Sequence, residues 1–117
     1  MYDGIILAAA GLERLGLLPL NGSPPAPCQA IIAVESRKGE LSEALDSTND
    51  GDAFLSFNTE RHILRLLGDD CSKPIGAYSE VRGGRLHILL SSGGGTVSAV
   101  RELSEWQALA EGLVKAL

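Results

Sequence analysis

The order of apolar and polar positions divides the chain into two parts that meet near residue 36. In the first part, residues 4–10 and 30–34 form two short runs that are apolar at almost every position. Such runs are typical of strands that are covered on both faces, as in α/β sheets. Between them the sequence predicts a short helix over residues 12–17 and a loop at residues 21–25, where Asn, Gly, Ser and Pro favour turns.

Two buried strands do not complete a sheet by themselves. Each needs neighbouring strands at its edges and cover above and below, and an exposed apolar edge favours pairing with another chain. We therefore interpret residues 1–36 as a partial α/β segment. It requires either another polypeptide or self-association of this chain.

The second part, residues 37–117, contains enough elements to form a domain. Helical periodicity predicts helices over residues 38–45 and 52–67, and Gly68 is well placed to end the second of them. Three strands are predicted at residues 75–81, 85–90 and 96–102. Hairpin turns are predicted between them, at Gly83-Gly84 and at Gly93-Gly94-Gly95.

The C-terminal residues predict a last helix. Ser104 and Gln107 have the spacing of a capping box. Its apolar stripe comprises Leu103, Trp106, Ala110, Leu113 and Leu117. The order of elements predicts an α+β domain, in which a three-stranded antiparallel sheet carries helices on one face and is preceded by the partial α/β segment.

Composition narrows the possible functions. Hydrophobic residues make up 44% of the 117 residues, which is enough for a core, so the chain is not expected to be disordered. The net charge of -5 and the lack of a basic run argue against a nucleic-acid partner. Neither His62 nor His87 has the spacing of a metal site. We expect no membrane span and no signal peptide. The chain is therefore expected in the reducing cytoplasm, where Cys28 and Cys71 would remain thiols and would not form a disulfide.

Four segments resemble porphobilinogen deaminases (hydroxymethylbilane synthases). Residues 2–16, YDGIILAAAGLERLG, are similar to the family's YDAIILAAAGLKRLG. Residues 25–30, PAPCQA, resemble its PAPGQGA, and Thr59-Glu60-Arg61 resembles its AER. Residues 71–78, CSKPIGAY, resemble its C-x-x-PIGAY. Four motifs in the family's order are more specific than any one of them.

The resemblance implies a function in heme and porphyrin biosynthesis. Members of this family are transferases that join four porphobilinogen units into hydroxymethylbilane, starting from a dipyrromethane cofactor held by a thioether to the cysteine before PIGAY. In this chain that cysteine is Cys71. Sulfur suits the task because a thiolate is a strong nucleophile toward an electrophilic methylene carbon.

The resemblance also implies that this chain is the C-terminal portion of such an enzyme. Family members have three domains. Residues 1–36 would form the end of the second domain and the strand that returns to the first domain. Residues 37–117 would form the third domain. The family's catalytic aspartate would belong to the missing N-terminal half. We therefore expect the isolated chain to be inactive, and we assign no catalytic residue to it.

Two further cofactor-binding residues follow from the motifs, each with an alternative. Arg14 matches the arginine of the family's LKRLG, and a guanidinium suits the cofactor's carboxylates, although it is equally well explained as a surface helix arginine. Gln29 is interpreted either as a donor that lines the cofactor cleft or as a turn residue. Cys28 is interpreted as a small buried hydrophobic residue or as a reactive thiol.

The chain departs from the family pattern at two places. Cys28 and Ala30 replace the glycines of the family's Gly-Gln-Gly, which favour positive φ or a close backbone approach. Asp69 and Asp70 stand before Cys71 where the family commonly has two glycines, and their charges would raise the pKa of its thiol. These departures favour the alternative that the chain is a non-catalytic remnant or a stand-alone domain.

Overall fold

The computed structural model describes residues 7, 9–16, 24–68 and 74–117. The elements occur in the order α1 (Ala9–Arg14), α2 (Ser42–Thr48), α3 (Gly51–Leu67), β1 (Gly76–Arg82), β2 (Arg85–Ser92), β3 (Gly95–Glu102), a 3-10 helix (Leu103–Glu105) and α4 (Trp106–Ala116). None of the helices in the described ranges is both long and apolar enough to cross a bilayer.

The three strands form the predicted antiparallel sheet, in the order β1-β2-β3. Gly83 and Gly84 link β1 to β2 with φ values of 59° and 73°, and Gly93 and Gly94 link β2 to β3 with 58° and 90°. Two successive positive φ values define the tight hairpin turns that match the twist of antiparallel strands, and glycine adopts them without a steric cost. The α+β class is thereby confirmed.

One face of the sheet carries the core. In register, Ala77 lies opposite Leu90, and Ile88 lies opposite Ala99. α3 and α4 pack on this face and contribute apolar side chains to it. The buried core comprises Ile63, Ala77, Leu86, Ile88, Leu90, Leu109, Ala110 and Leu113.

Helix α3 has well-defined ends. The Asp50 carboxylate accepts hydrogen bonds from the backbone N–H groups of Asp52 and Ala53, both at 3.0 Å. Gly68 adopts φ 98° and donates its N–H to the last turn, as the sequence predicted. Asp50 at the N-cap and Gly68 after the last turn satisfy backbone groups that a helix leaves unpaired.

Two details of the last helix differ from the prediction. No side-chain capping bond forms at the start of α4, because residues Leu103–Glu105 wind as a 3-10 helix and Ser104 lies inside it. Leu117 lies beyond the last turn of α4 and is 40% exposed, so it leaves the apolar stripe. Trp106, Ala110 and Leu113 lie on that stripe as predicted.

The prediction of a buried strand at residues 30–34 is wrong. This segment has no regular secondary structure, and its Ile32 and Val34 side chains are 91% and 69% exposed. A strand requires a partner, and no strand of the described residues lies beside it. The predicted strand at residues 4–10 lies mainly outside the described residues, and its last two residues, Ala9 and Ala10, begin α1.

The short helices are shifted relative to their predictions. α1 begins at Ala9 rather than at residue 12 and ends at Arg14, whereas Leu17 lies outside the described residues. α2 starts at Ser42 instead of residue 38, because Gly39 and Leu41 adopt positive φ values of 85° and 58° and form a turn before it. The predicted domain boundary near residue 36 stays a prediction.

Candidate functional site

Three of the motif segments meet in the structure. The loop of residues 24–30, which contains the PAPCQA motif, lies against the N-terminal end of β1, which contains the PIGAY motif. The backbone N–H of Ala77 donates to the carbonyl oxygen of Pro25 at 2.9 Å. Glu60, from the segment Thr59-Glu60-Arg61 in α3, contacts both. Segments that are distant in sequence thus form one site.

Gly76 permits this close approach. A Cβ atom at this position would collide with the carbonyl oxygen of Pro24 and would lie 3.0 Å from its Cγ. Backbone atoms cannot yield as the end of a flexible side chain can, so any larger residue would push the 24–30 loop away from β1. The glycine of PIGAY is therefore required by packing.

The buried carboxylate of Glu60 is the centre of the site. Glu60 is 4% exposed, and its two oxygens accept three hydrogen bonds. One oxygen accepts from the backbone N–H of Ser79 at 2.7 Å and from its hydroxyl at 2.8 Å. The other accepts from the backbone N–H of Cys28 at 2.5 Å. Since burying an unsatisfied charge is costly, these donors explain how α3 carries a carboxylate here.

The backbone of the 24–30 loop has an unusual conformation at two positions. Cys28 and Ala30 adopt φ values of 62° and 67°, in the left-handed region that side chains with a Cβ disfavour. These are the two positions at which the resembled motif has glycine. The loop therefore has a backbone that suits glycine, although this chain has Cys and Ala there.

Cys28 is half-buried, and its thiol is free. Its Sγ lies 3.9 Å from the carbonyl oxygen of Phe57. Burial raises the pKa of the Cys28 thiol, the nearby charge of Glu60 raises it further, and Arg61 opposes the shift. A thiol with a raised pKa is a weak nucleophile at neutral pH, so the structure favours the interpretation of Cys28 as a packing residue.

The predicted cofactor-binding residues lie at different places. Gln29 is exposed in the 24–30 loop, where its backbone N–H donates to the carbonyl oxygen of Ala26 at 3.2 Å, so its side chain is accessible to a ligand. Arg14 is the exposed last residue of α1, and no hydrogen bond or ion pair joins it to Gln29. Cys71 lies outside the described residues.

Sequence reasoning missed the role of Glu60 and did not single out Ser79. Glu60 was noticed only as part of a motif, although a glutamate inside an apolar helix face is itself an indication of a buried polar contact. Nothing local to the sequence pairs it with Cys28, which is 32 residues away.

No cluster of three His, Cys, Asp or Glu side chains suitable for a metal ion occurs within residues 7, 9–16, 24–68 and 74–117.

Comparison with known proteins identifies the family. Residues 1–44 match the family model described as porphobilinogen deaminase, dipyromethane cofactor binding domain. The chain is 43% identical over 95 residues to the porphobilinogen deaminase of Syntrophomonas wolfei, an alignment covering 74% of this chain and 31% of that protein. The chain belongs to the porphobilinogen deaminase family.

Two other porphobilinogen deaminases give the same result. The probable enzyme of Hyperthermus butylicus is 39% identical over 105 residues, covering 81% of this chain and 35% of that protein. The Burkholderia mallei enzyme is 38% identical over 96 residues, covering 74% of this chain and 29% of that protein. The chain thus spans about a third of the length of these relatives.

Some of the predicted site residues lie within the range that matches the family model. Arg14, Cys28 and Gln29 fall within the residues that match the dipyromethane domain model. Cys71 follows that match in sequence, as do Glu60 and Ser79. The 24–30 loop therefore links a segment of the cofactor-binding domain to the α+β domain that contains the PIGAY strand.

Proposed function

We propose that this chain is the cofactor-carrying C-terminal part of a porphobilinogen deaminase. In this proposal, a complementary N-terminal part completes the enzyme that joins four porphobilinogen units into hydroxymethylbilane. The chain spans about a third of the length of these relatives, and the proposal assigns catalysis to the part of the enzyme outside that span.

The observation that carries the proposal is the junction of the motif segments around Glu60. The 24–30 loop, α3 and β1 are joined by hydrogen bonds of 2.5 to 2.9 Å, despite the separation of these segments in sequence. The junction supports the proposal because it holds the loop that contains Gln29 against the domain that contains the PIGAY strand.

Cys71 is the proposed attachment residue for dipyrromethane. Its thiol sulfur would form a bond to the methylene carbon of porphobilinogen as the carbon–nitrogen bond breaks. The thiol proton leaves with the amine as ammonia, so the products are a thioether and ammonia. Once attached through Cys71, the dipyrromethane would supply the primer to which further porphobilinogen units are joined, each with loss of ammonia.

Arg14 and Gln29 would bind the cofactor rather than react with it. The Arg14 guanidinium can bind a carboxylate through two parallel hydrogen bonds. The Gln29 amide can donate to a carboxylate oxygen or accept from a pyrrole N–H. The exposure of both side chains supports this role, because both are accessible to a ligand.

An exposed apolar groove supports the need for a complementary polypeptide. The groove encloses about 560 Å³ between residues 31–34 and the facing parts of α2 and α3, and it includes Leu45, Phe54 and Phe57. Large apolar surfaces of this kind are usually covered by a partner. Self-association of the chain is the alternative way to cover it.

A non-catalytic remnant is the second candidate. The observations that favour it are the left-handed Cys28 and Ala30, where glycine would be unstrained, and the Asp69-Asp70 pair beside Cys71 in sequence. A remnant would fold and would carry the same motifs, but it would not acquire a cofactor.

Intact mass spectrometry separates the two candidates. The purified chain is measured before and after incubation with porphobilinogen and the N-terminal part of the S. wolfei enzyme. We expect the mass to increase by a dipyrromethane, located on the peptide that contains Cys71 and absent from Cys71→Ser. An unchanged mass in a folded chain bound to its partner would contradict the proposal and favour the remnant.

A further inference from the structure

Glu60 holds two separate segments with its two oxygens. Oε1 accepts both hydrogen bonds from Ser79 in β1, and Oε2 accepts the bond from the Cys28 backbone. The carboxylate forms no ion pair with a described residue, so within the described part of the chain these donors stabilise its charge. Hydrogen bonds to a charged acceptor are stronger than those between neutral groups.

The segment at Oε1 is held by strand pairing as well, whereas the loop at Oε2 belongs to no regular element. The Ser79 hydroxyl also lies 3.2 Å from the carbonyl oxygen of Ser56, and β1 is held independently by its pairing with β2. The 24–30 loop belongs to neither a helix nor a strand. Its other bonds to described residues of the α+β domain are the backbone bond from Ala77 to Pro25 and the weak contact of the Cys28 Sγ with the Phe57 carbonyl oxygen, at 3.9 Å.

The bond to Cys28 lies where the loop backbone is least favourable. Cys28 and Ala30 both adopt the left-handed conformation, which an unrestrained loop with these side chains would leave. A short charge-assisted hydrogen bond to the Cys28 N–H opposes that tendency. Glu60 therefore determines the position of the Cys28 backbone and of its neighbour Gln29.

We propose that Glu60 is a positioning residue for cofactor loading, because it fixes the 24–30 loop, and with it Gln29, against the domain that carries Cys71. This role rests on the proposed function. Glu60 would act through the loop and not by contact with the cofactor, since only 4% of it is exposed. Its contribution would be to hold the cofactor-facing loop in one conformation before porphobilinogen arrives.

Glu60→Gln tests the bond to the loop selectively. Glutamine has the same shape, and its carbonyl oxygen can still accept both donors of Ser79. Its NH₂ group then faces the Cys28 N–H, so two donors meet where a donor met an acceptor. The opposite amide orientation would place the NH₂ group against the Ser79 N–H, which the pairing of β1 with β2 holds in place. The 24–30 loop can move away from the NH₂ group and β1 cannot, so the first orientation is favoured. Ser79→Ala is the matched control, because it removes one bond at Oε1 and leaves the bond to Cys28.

The first readout is backbone amide exchange in the chain by itself. We expect Glu60→Gln to speed exchange at Cys28 by about 10- to 100-fold, the range for loss of a hydrogen bond to a charged group. Exchange at the buried β2 residues should stay within about threefold of the native chain, and Ser79→Ala should leave Cys28 unchanged. Equal acceleration at Cys28 and throughout β2 would show a general structural role and overturn the proposal.

The second readout is the rate of dipyrromethane loading per folded molecule, measured with the N-terminal part of the S. wolfei enzyme. We expect loading of Glu60→Gln to slow by about tenfold or more and that of Ser79→Ala to change by less than about twofold. Native and Glu60→Gln chains that load equally would overturn the positioning role and leave the proposed function standing. A native chain that does not load would overturn both.

Discussion

At the scale of single residues, the backbone of the 24–30 loop is informative about the family. The motif comparison showed glycine at the positions of Cys28 and Ala30, and the structure gives both residues positive φ. The sequence thus indicated where the backbone would be unusual. It could not indicate that the conformation would survive the loss of both glycines, because the hydrogen bond that opposes the strain comes from Glu60, far away in sequence.

Ala30→Gly should stabilise the chain. Ala30 has φ 67°, and a left-handed residue with a Cβ costs roughly 1–2 kcal/mol. Glycine removes that cost but gives up about 0.4–1 kcal/mol through the greater freedom of the unfolded chain. We expect a net increase of about 0.5–1 kcal/mol in the free energy of unfolding, measured by urea denaturation. A decrease in the free energy of unfolding would show that the Ala30 methyl group makes a contact that stabilises the fold by more than the backbone strain destabilises it.

The Cys28 thiol should react slowly and should influence stability at high pH. Burial and the Glu60 charge raise its pKa above the ordinary value of 9.0, so the folded chain retains this proton to a higher pH than the unfolded chain. The contribution to stability is therefore complete below pH 9 and is lost as the pH rises through the folded-state pKa.

Two measurements on a Cys71→Ser background check this behaviour. Alkylation by iodoacetamide should have its midpoint above pH 9.0, and Glu60→Gln should lower that midpoint by removing a negative charge. Denaturation curves should show a decline in stability above that pH, which Cys28→Ala should lack apart from the titration of other groups. A midpoint at or below that of a small-molecule thiol would refute the prediction.

At the scale of elements, local sequence was sufficient to predict an element wherever the residues that end it or turn the chain lie next to it in sequence. Helix α3 and both hairpins were predicted closely, because Gly68, Gly83-Gly84 and Gly93-Gly94 act on their immediate neighbours. The strand at residues 30–34 was predicted wrongly, because a strand depends on a partner and no described residues form a strand beside it. The Cys28–Glu60 bond was missed for the same non-local reason.

A pair of glycine substitutions tests how β1 meets the 24–30 loop. Gly76→Ala would force a Cβ into the Pro24 carbonyl oxygen, so we expect a loss of about 1–3 kcal/mol in stability. Faster exchange at Ala77 should accompany it, because the bond from Ala77 to Pro25 has to break. Circular dichroism during urea denaturation, together with amide exchange, gives both values.

Gly112→Ala is the matched control for this prediction. Gly112 lies inside α4, is exposed and has no atom within 4 Å of an added Cβ. Alanine should raise the free energy of unfolding by about 0.5–1 kcal/mol, because glycine is the poorer helix former. The two glycines are thus expected to respond with opposite sign. A neutral Gly76→Ala would mean that the loop is not held against β1 in solution.

At the scale of the whole molecule, we expect the exposed apolar groove beside residues 31–34 to govern self-association of the isolated chain. Ile32 is 91% exposed and Phe54 is 55% exposed. The same region is acidic, since residues 31–57 contain six acidic and two basic side chains, and Asp46 and Asp50 line the groove itself. Apolar attraction between two copies is therefore opposed by repulsion between like charges.

Salt should shift this balance toward self-association. Screening shortens the range of the repulsion to about 10 Å at 0.1 M salt and to about 3 Å at 1 M, whereas apolar attraction remains. We expect sedimentation velocity of the isolated chain to show more dimer or larger species as salt increases. Adding the N-terminal part of a relative should dissociate these species, because a groove covered by that polypeptide cannot also bind a second copy of this chain.

Ile32→Asp should suppress this association at every salt concentration. The substitution removes the most exposed apolar side chain of the groove and adds a charge of the sign that already predominates there. Because Ile32 makes little contact within the chain, stability should change by no more than about 0.5 kcal/mol. Leu15→Asp is the control, since Leu15 is 73% exposed but does not line the groove. If both substitutions reduced association equally, association would depend on the overall charge of the chain and not on the groove. Residues 31–34 would then give no reason to expect a partner at the groove.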